Sequence, residues 1–254
     1  GEHKILDLLK SKTTQAENSL KELLNNCITA GRITSSGASG QFLARIGRQD
    51  SGASGPLPLA ALIDTTAARS VAIGNINGST YSFWRNQVKS STGSTWAAVK
   101  LEMNNIYNTC SKGIGGAPDL AITDQVGWET YWAGLQGLER YIITDPRKVD
   151  ILGGTDALSF RGATIIWDEV IPDTETNAEV VDAIGTVSAS SMFFINSESM
   201  EYIVESECDF ATTPFVRPEN QLARTALIHW MGILGINQRR KNGVLYGISQ
   251  SIAA

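Results

Sequence analysis

Residues 77–87 read Asn77-Gly78-Ser79-Thr80-Tyr81-Ser82-Phe83-Trp84-Arg85-Asn86-Gln87. Asn-Gly is the strongest two-residue hairpin signal, because both residues tolerate the left-handed backbone that a type I′ turn requires. Upstream, Val71 and Ile73 alternate with small residues; downstream comes the aromatic run Tyr81-Ser82-Phe83-Trp84. The spacing predicts a β-hairpin over 68–84 with Asn77-Gly78 at its tip.

Working toward the C-terminus, Ser94 or Thr95 stands ready to cap a helix in which Trp96, Val99, Met103, Ile106 and Cys110 step by three and four. Lys112-Gly-Ile-Gly-Gly116 stops it. A short buried strand over 119–123 leads into a second helix from Asp124, bearing Val126, Trp128, Tyr131, Trp132 and Leu135. Strands are expected at 158–160 and 164–167, separated by Arg161-Gly162, and again at 192–195 and 202–205. The acidic stretch 168–182, punctuated by Pro172, reads as an exposed loop. The β-branched and apolar run 224–237, with two glycines, reads as one long, bulged strand.

Working toward the N-terminus, residues 36–40 and 51–55 repeat Ser-Gly-Ala-Ser-Gly and flank a short segment over 41–48. Two copies are too few for a solenoid, so 35–58 reads as loose chain. Before it, residues 2–28 read as a helix, with Ile5, Leu9, Ala16, Leu20, Leu23, Leu24 and Cys27 forming a narrow apolar stripe. Such a helix spans about 40 Å at 1.5 Å per residue, and a stripe of that kind lies across a sheet or against a partner. Helices and strands are mixed without regular βαβ alternation, so the expected class is α+β.

Composition narrows the function. The 254 residues are 42% hydrophobic and 19% charged, which supplies a core and excludes wholesale disorder. No run approaches the roughly 18 apolar residues of a membrane span, and the charged, amphipathic start does not read as a signal peptide. The expectation is a soluble chain inside a cell. The net charge of −5 hides an asymmetry: residues 29–112 carry 8 basic and 3 acidic side chains, residues 113–209 carry 4 basic and 18 acidic. That segregation suits contact between a basic region of one copy and the acidic region of another. No dense basic patch interleaved with aromatics points to nucleic-acid recognition.

Catalytic patterns are absent. Asp168 and Glu169 are adjacent on a strand end, where neighbours face opposite ways, so they do not form a working pair across one substrate. Lys112-Gly-Ile-Gly-Gly116 follows a helix and ends at Pro118, without the strand–loop–helix context of a phosphate loop. Only His3 and His229 could serve as histidine bases; His229, beside Trp230, reads as a core or interface residue. Cys27, Cys110 and Cys208 form no CxxC pair and behave as small apolar residues. No catalytic, cofactor-binding or metal residue is expected.

The stretch Ser79-Thr-Tyr-Ser-Phe-Trp-Arg-Asn-Gln87 resembles a signature of tailed-bacteriophage major capsid proteins of the HK97-like fold. Collinear stretches are similar to the same family. They are Ala117-Pro-Asp-Leu-Ala-Ile-Thr123, Leu158-Ser-Phe-Arg-Gly-Ala163 with 165–169, and Met192-Phe-Phe-Ile-Asn196. Asp209-Phe, Pro214-Phe-Val-Arg-Pro218, Asn220-Gln221, Asn237-Gln-Arg-Arg and Gly243-Val-Leu245 complete the series. The resemblance implies an α+β fold of two domains. Residues 1–29 would give the spine helix of a peripheral (P) domain and 205–236 its long strand. Residues 30–204 would form an axial (A) domain, to which 237–254 return as the C-terminal tail. In that family an N-terminal arm and an extended loop precede the spine helix; the sequence begins at that helix, so both are expected to be absent from this chain.

The implied function is a non-enzymatic subunit that packs as pentamers and hexamers into the icosahedral shell of a double-stranded DNA phage. The shell would assemble in the bacterial cytoplasm and reside in the virion. Its partners would be other copies of itself, with portal, scaffold or decoration proteins, and packaged DNA held without sequence recognition. The residues expected at packing surfaces are Ile5, Leu9, Leu20, Leu24, Trp84, Arg85, Asp173, Glu175, Glu179, Arg217, Arg239 and Arg240. Two rival readings are an encapsulin-like compartment of the same fold and a soluble hydrolase using Asp168 or Glu169.

Overall fold

The computed structural model describes residues 2–29, 59–65, 72–93, 95–136, 158–171, 190–217 and 224–248. The loose segment 35–58 and the acidic residues Asp173, Glu175 and Glu179 lie outside them.

The architecture is mixed α and β. Its centre is a six-stranded sheet built from β3 (Gln87–Ser90), β4 (Leu120–Thr123), β5 (Leu158–Phe160), β6 (Ala163–Trp167), β7 (Ser191–Ile195) and β12 (Gly243–Tyr246). The spatial order is β3-β12-β7-β4-β6-β5. Strands β3 and β12 run parallel, as do β4 and β6; the other pairings are antiparallel. Central β7 is buried at all five positions, as expected of a strand covered on both faces.

Period-two alternation sends successive side chains to opposite layers. On one face Met192, Phe194, Ala121, Ile165 and Leu245 pack under two helices, α3 (Trp96–Cys110) and α4 (Gln125–Gln136). On the other, Phe193, Ile195 and Val244 meet Leu59, Leu62 and Ile63 of the short α2 region (Leu59–Leu62), and Ile28 near the end of α1 (Glu2–Thr29). Phe193, Phe194, Val244 and Leu245 are each at most 1% exposed, and burying each such side chain contributes about 1.5–3 kcal/mol.

The helix expected from 95 fits: Val99, Met103, Ile106 and Cys110 all point into the core. Thr95 occupies the cap position, although its side chain makes no capping bond. Strand β12 closes tightly on this helix at Gly243, where a Cβ would stand 2.8 Å from Cys110 Sγ and 3.0 Å from Ile106 Cγ1.

Two expectations need correction. The hairpin exists, as β1 (Ala72–Ile73) and β2 (Ile76–Asn77), but its tip is Gly74-Asn75. Both tip residues have positive φ, 60° and 64°, the type I′ requirement. Asn77 is drawn into other bonds, its Oδ1 accepting from Ser79 N at 2.8 Å and its carbonyl accepting from Tyr81 N at 2.9 Å. Tyr81 leads not into a returning strand but into a 3₁₀ turn, Ser82–Trp84. Centring the hairpin on Gly74-Asn75 places Ile73 in the core at 7% exposure.

The run 224–237 is not one strand but two, β10 (Ile228–His229) and β11 (Gly232–Ile236). They pair with different partners, β9 (Ala211–Thr212) and β8 (Met200–Val204). The opposing chain turns at 205–208, where Cys208 N donates to Glu205 O, so the ladder changes partner at Met231. Trp230 lies across Gly232, where a Cβ would meet its ring at 2.5 Å, and stacks on Tyr202. His229 is exposed, not a core residue, and Trp132 at the outer side of α4 is 45% exposed.

Candidate assembly surfaces

The sheet topology gathers several of the expected packing residues. Because β3 and β12 run parallel, the 3₁₀ turns preceding them, Ser82–Trp84 and Arg239–Lys241, arrive side by side. Trp84 and Arg85 therefore neighbour Arg239 and Arg240. Arg85 is anchored by its own hairpin, with Nε donating to Gly78 O at 2.6 Å and Nη2 to Ser79 O at 3.0 Å. Gln87 Nε2 reaches Arg240 O at 3.5 Å and ties the two turns together. The Arg240 side chain is exposed and makes no hydrogen bond or ion pair among the described residues.

Arg239 faces inward. Only 3% exposed, it donates from Nε to Leu62 O at 2.8 Å and from Nη2 to Asn86 Oδ1 at 3.1 Å; Asn86 Nδ2 donates in turn to Asp64 O. Burial works against its charge and buried Asp64 supports it. Lys241 is equally buried, its Nζ donating to the carbonyls of Lys112, Gly113 and Gly116, each at 3.2 Å. The glycine loop thus turns carbonyl oxygens toward an ammonium, the opposite polarity from an anion cradle. Three consecutive cations look like surface in the sequence; only the flanking apolar strands hint that two of them are interior.

Helix α1 presents the second surface. Of its described side chains only Thr29 is buried. Leu20, Leu23, Leu24 and Ile28 are half-buried, whereas Leu8 is 61% exposed. Its last turns are fastened to the body: Asn25 Nδ2 donates to both Asp168 oxygens at 3.2–3.3 Å, and Lys21 Nζ lies 5.4 Å from the Phe210 ring centre. Ile5 and Leu9 lie on this helix, but their side chains are outside the described set. Asp168 also accepts from Val170 N at 2.9 Å, while Glu169 is exposed. Asp168 is thereby occupied as a fastener.

The third surface is the β8–β11 ribbon with its neighbour β9–β10. Tyr202, Ile203, Leu227, Met231 and Ile233 are each 42–70% exposed there, a cluster of large apolar side chains on one ribbon. Arg217 is exposed nearby, next to the isolated bridge between Val216 and Thr225. The sequence reading places Arg217 here and takes 224–237 as one long strand, without singling out these five apolar side chains.

Among the described residues no group of three or more His, Cys, Asp or Glu side chains could hold a metal, and no helix is long and apolar enough to cross a membrane. Cys110 is fully buried and burial pushes its thiol up to about 12, with Lys241 opposing, so it stays a protonated packing group.

Asp124 is the buried acid that should be visible in pH dependence. It is 1% exposed and caps α4, with Oδ1 accepting from Gly127 N at 3.2 Å and Oδ2 from Ser190 Oγ at 2.8 Å. Burial raises its pKa above the ordinary 3.8, with the donors from Ser190, Gly127 and Thr123 opposing. The native state therefore holds this proton more tightly than the unfolded chain, so this group's contribution to stability grows as pH falls from its native pKa toward 3.8. Denaturant midpoints measured between about pH 4 and pH 7 should show that increment in the wild type relative to Asp124→Asn. Identical pH profiles for the two would refute it.

No protein-family model matches this sequence, and no curated protein matches it.

Proposed function

We propose that this chain is a shell-forming subunit of the HK97-like type, the major capsid protein of a tailed double-stranded DNA phage. The observation that carries the reading is the helix α1: 28 residues long, fastened at its C-terminal end, with Leu20, Leu23, Leu24 and Ile28, the described large apolar side chains of its C-terminal half, only half-buried. In proteins a helix is held chiefly by packing of its apolar face rather than by propensity; neighbouring copies would supply the missing cover. The apolar ribbon and the collinear resemblance described above support the same reading. The subunit's work is then association, in which modest heterologous contacts repeat and close by symmetry.

Electron microscopy of the product of the complete gene tests this. Closed particles containing the polypeptide and DNA are the expected result; particles filled with an enzyme cargo would move the reading to an encapsulin-like compartment. Discrete monomers across a range of salt concentrations would overturn it. Within the shell reading, Asp173→Lys/Glu175→Lys/Glu179→Lys should reduce particle yield and change its salt dependence. Unchanged assembly in that variant would remove charge complementarity from the account.

A further inference from the structure

We infer that the open groove between the turns Ser82–Trp84 and Arg239–Lys241 receives the acidic segment around residues 173–182 of a second copy of this chain. The inference deepens the shell reading and rests on it for the premise that copies associate; it adds which surfaces meet. The groove has a volume of about 510 Å³ and is lined by Phe83, Arg85, Gln87, Val88 and Arg240 among others, with no acidic side chain among the described residues on its wall. Arg85 uses two of its N–H groups on Gly78 O and Ser79 O. A guanidinium has five, so three remain, on a side chain already held in place. Arg240 is exposed and unengaged among the described residues. Two arginines on the wall of one groove, whose turns are joined by Gln87 Nε2 donating to the Arg240 carbonyl, suit carboxylates.

Two further features favour an extended peptide as the occupant. Among the described residues strand β3 is at the edge of the sheet, where outer backbone groups can pair with an added strand. Phe83, 60% exposed, offers an apolar contact beside the cations. The segment 173–182 reads Asp-Thr-Glu-Thr-Asn-Ala-Glu-Val-Val-Asp, with four acids, no base and two adjacent valines. Asp173 and Glu175 stand two apart, the spacing that an extended chain puts on one face. Duplex DNA suits the groove less well, since binding through its phosphates typically uses on the order of 6–10 contacts and this groove offers two arginines.

The test uses the purified chain and a labelled peptide of residues 172–183, with anisotropy as the readout. Saturable binding that weakens at least about tenfold in Arg240→Glu, and likewise on raising salt to about 0.5 M, is expected. Equal binding of a scrambled peptide of the same composition, or stronger competition by a short DNA duplex, would overturn the assignment. Arg240→Glu is chosen over Arg85→Glu because the Arg240 side chain makes no hydrogen bond or ion pair among the described residues. A charge-swap experiment separates contact between copies from contact within one. Arg240→Glu and Asp173→Lys/Glu175→Lys/Glu179→Lys should each lose self-association in sedimentation at low salt, and an equimolar mixture should regain it. Loss without regain would place the contact within one chain and overturn the inference. Peptide binding and pairwise sedimentation are read without any shell, so closed particles lacking this contact, and this contact without closed particles, are distinguishable results.

Discussion

Replacing Arg239 by alanine is expected to lower the stability of the chain by about 3–5 kcal/mol, the range for removing one member of a buried charged pair. Three losses combine. Leu62 O and Asn86 Oδ1 lose their donors within a nearly closed site, at about 1–3 kcal/mol for each buried group left unsatisfied. Asp64, 1% exposed, loses the cation facing it. A cavity also opens against the α2 region. These contributions overlap, so the range applies to the whole. Arg239→Lys should recover only part, because an ammonium cannot reproduce the two-pronged reach to Leu62 O and Asn86 Oδ1. The check is the denaturant midpoint of both variants against wild type. A loss below about 1 kcal/mol in Arg239→Ala would mean that the network is incidental to the fold. For the proposed contact between copies the consequence is direct, since Arg239 and Arg240 share one turn: the buried arginine fixes the position of the exposed one.

How far the sequence carried these conclusions depends on which force decided each element. Helix α3 was legible because its stripe from Val99 to Cys110 is both strongly periodic and turned into the core, so local pattern and tertiary packing agree. Strands β4, β6 and β7 were legible as short apolar runs between turn signals. The hairpin tip was not, because Gly74-Asn75 and Asn77-Gly78 both suit a type I′ turn. The choice was made by the burial of Ile73 and by Asn77's bond to Ser79. Likewise, nothing local in 224–237 shows that the facing chain turns at 205–208 and forces a change of partner. The expected surface residues divided for the same reason. Arg85 and Arg240 border the groove, whereas Arg239 is buried by a pairing of strands more than 150 positions apart, Gly243 with Gln87.

On the proposed shell reading, Leu20→Asp is expected to cut the yield of assembled particles at least tenfold while leaving the sheet body folded. The two parts of that expectation come from different places in the structure. Leu20 is half-buried and is not among the side chains of either core cluster, so most of the folding free energy does not pass through it. The end of α1 stays fastened through Asn25 to Asp168 and by Ile28 against the second cluster. A carboxylate in the middle of the stripe, however, must be desolvated wherever another copy covers it, without a partner provided there. In a closed assembly the penalty recurs at every subunit, so even about 1.4 kcal/mol per contact, a factor of ten in each association constant, is compounded over the shell. Ser19→Asp, on the exposed neighbouring position, carries the same charge on the same helix and should assemble normally. Particle counts by microscopy, with circular dichroism as the folding control, separate the two. Normal particles from Leu20→Asp would show that the stripe is not a surface between copies. Loss of assembly from Ser19→Asp as well would show that helix charge, not the stripe, controls it.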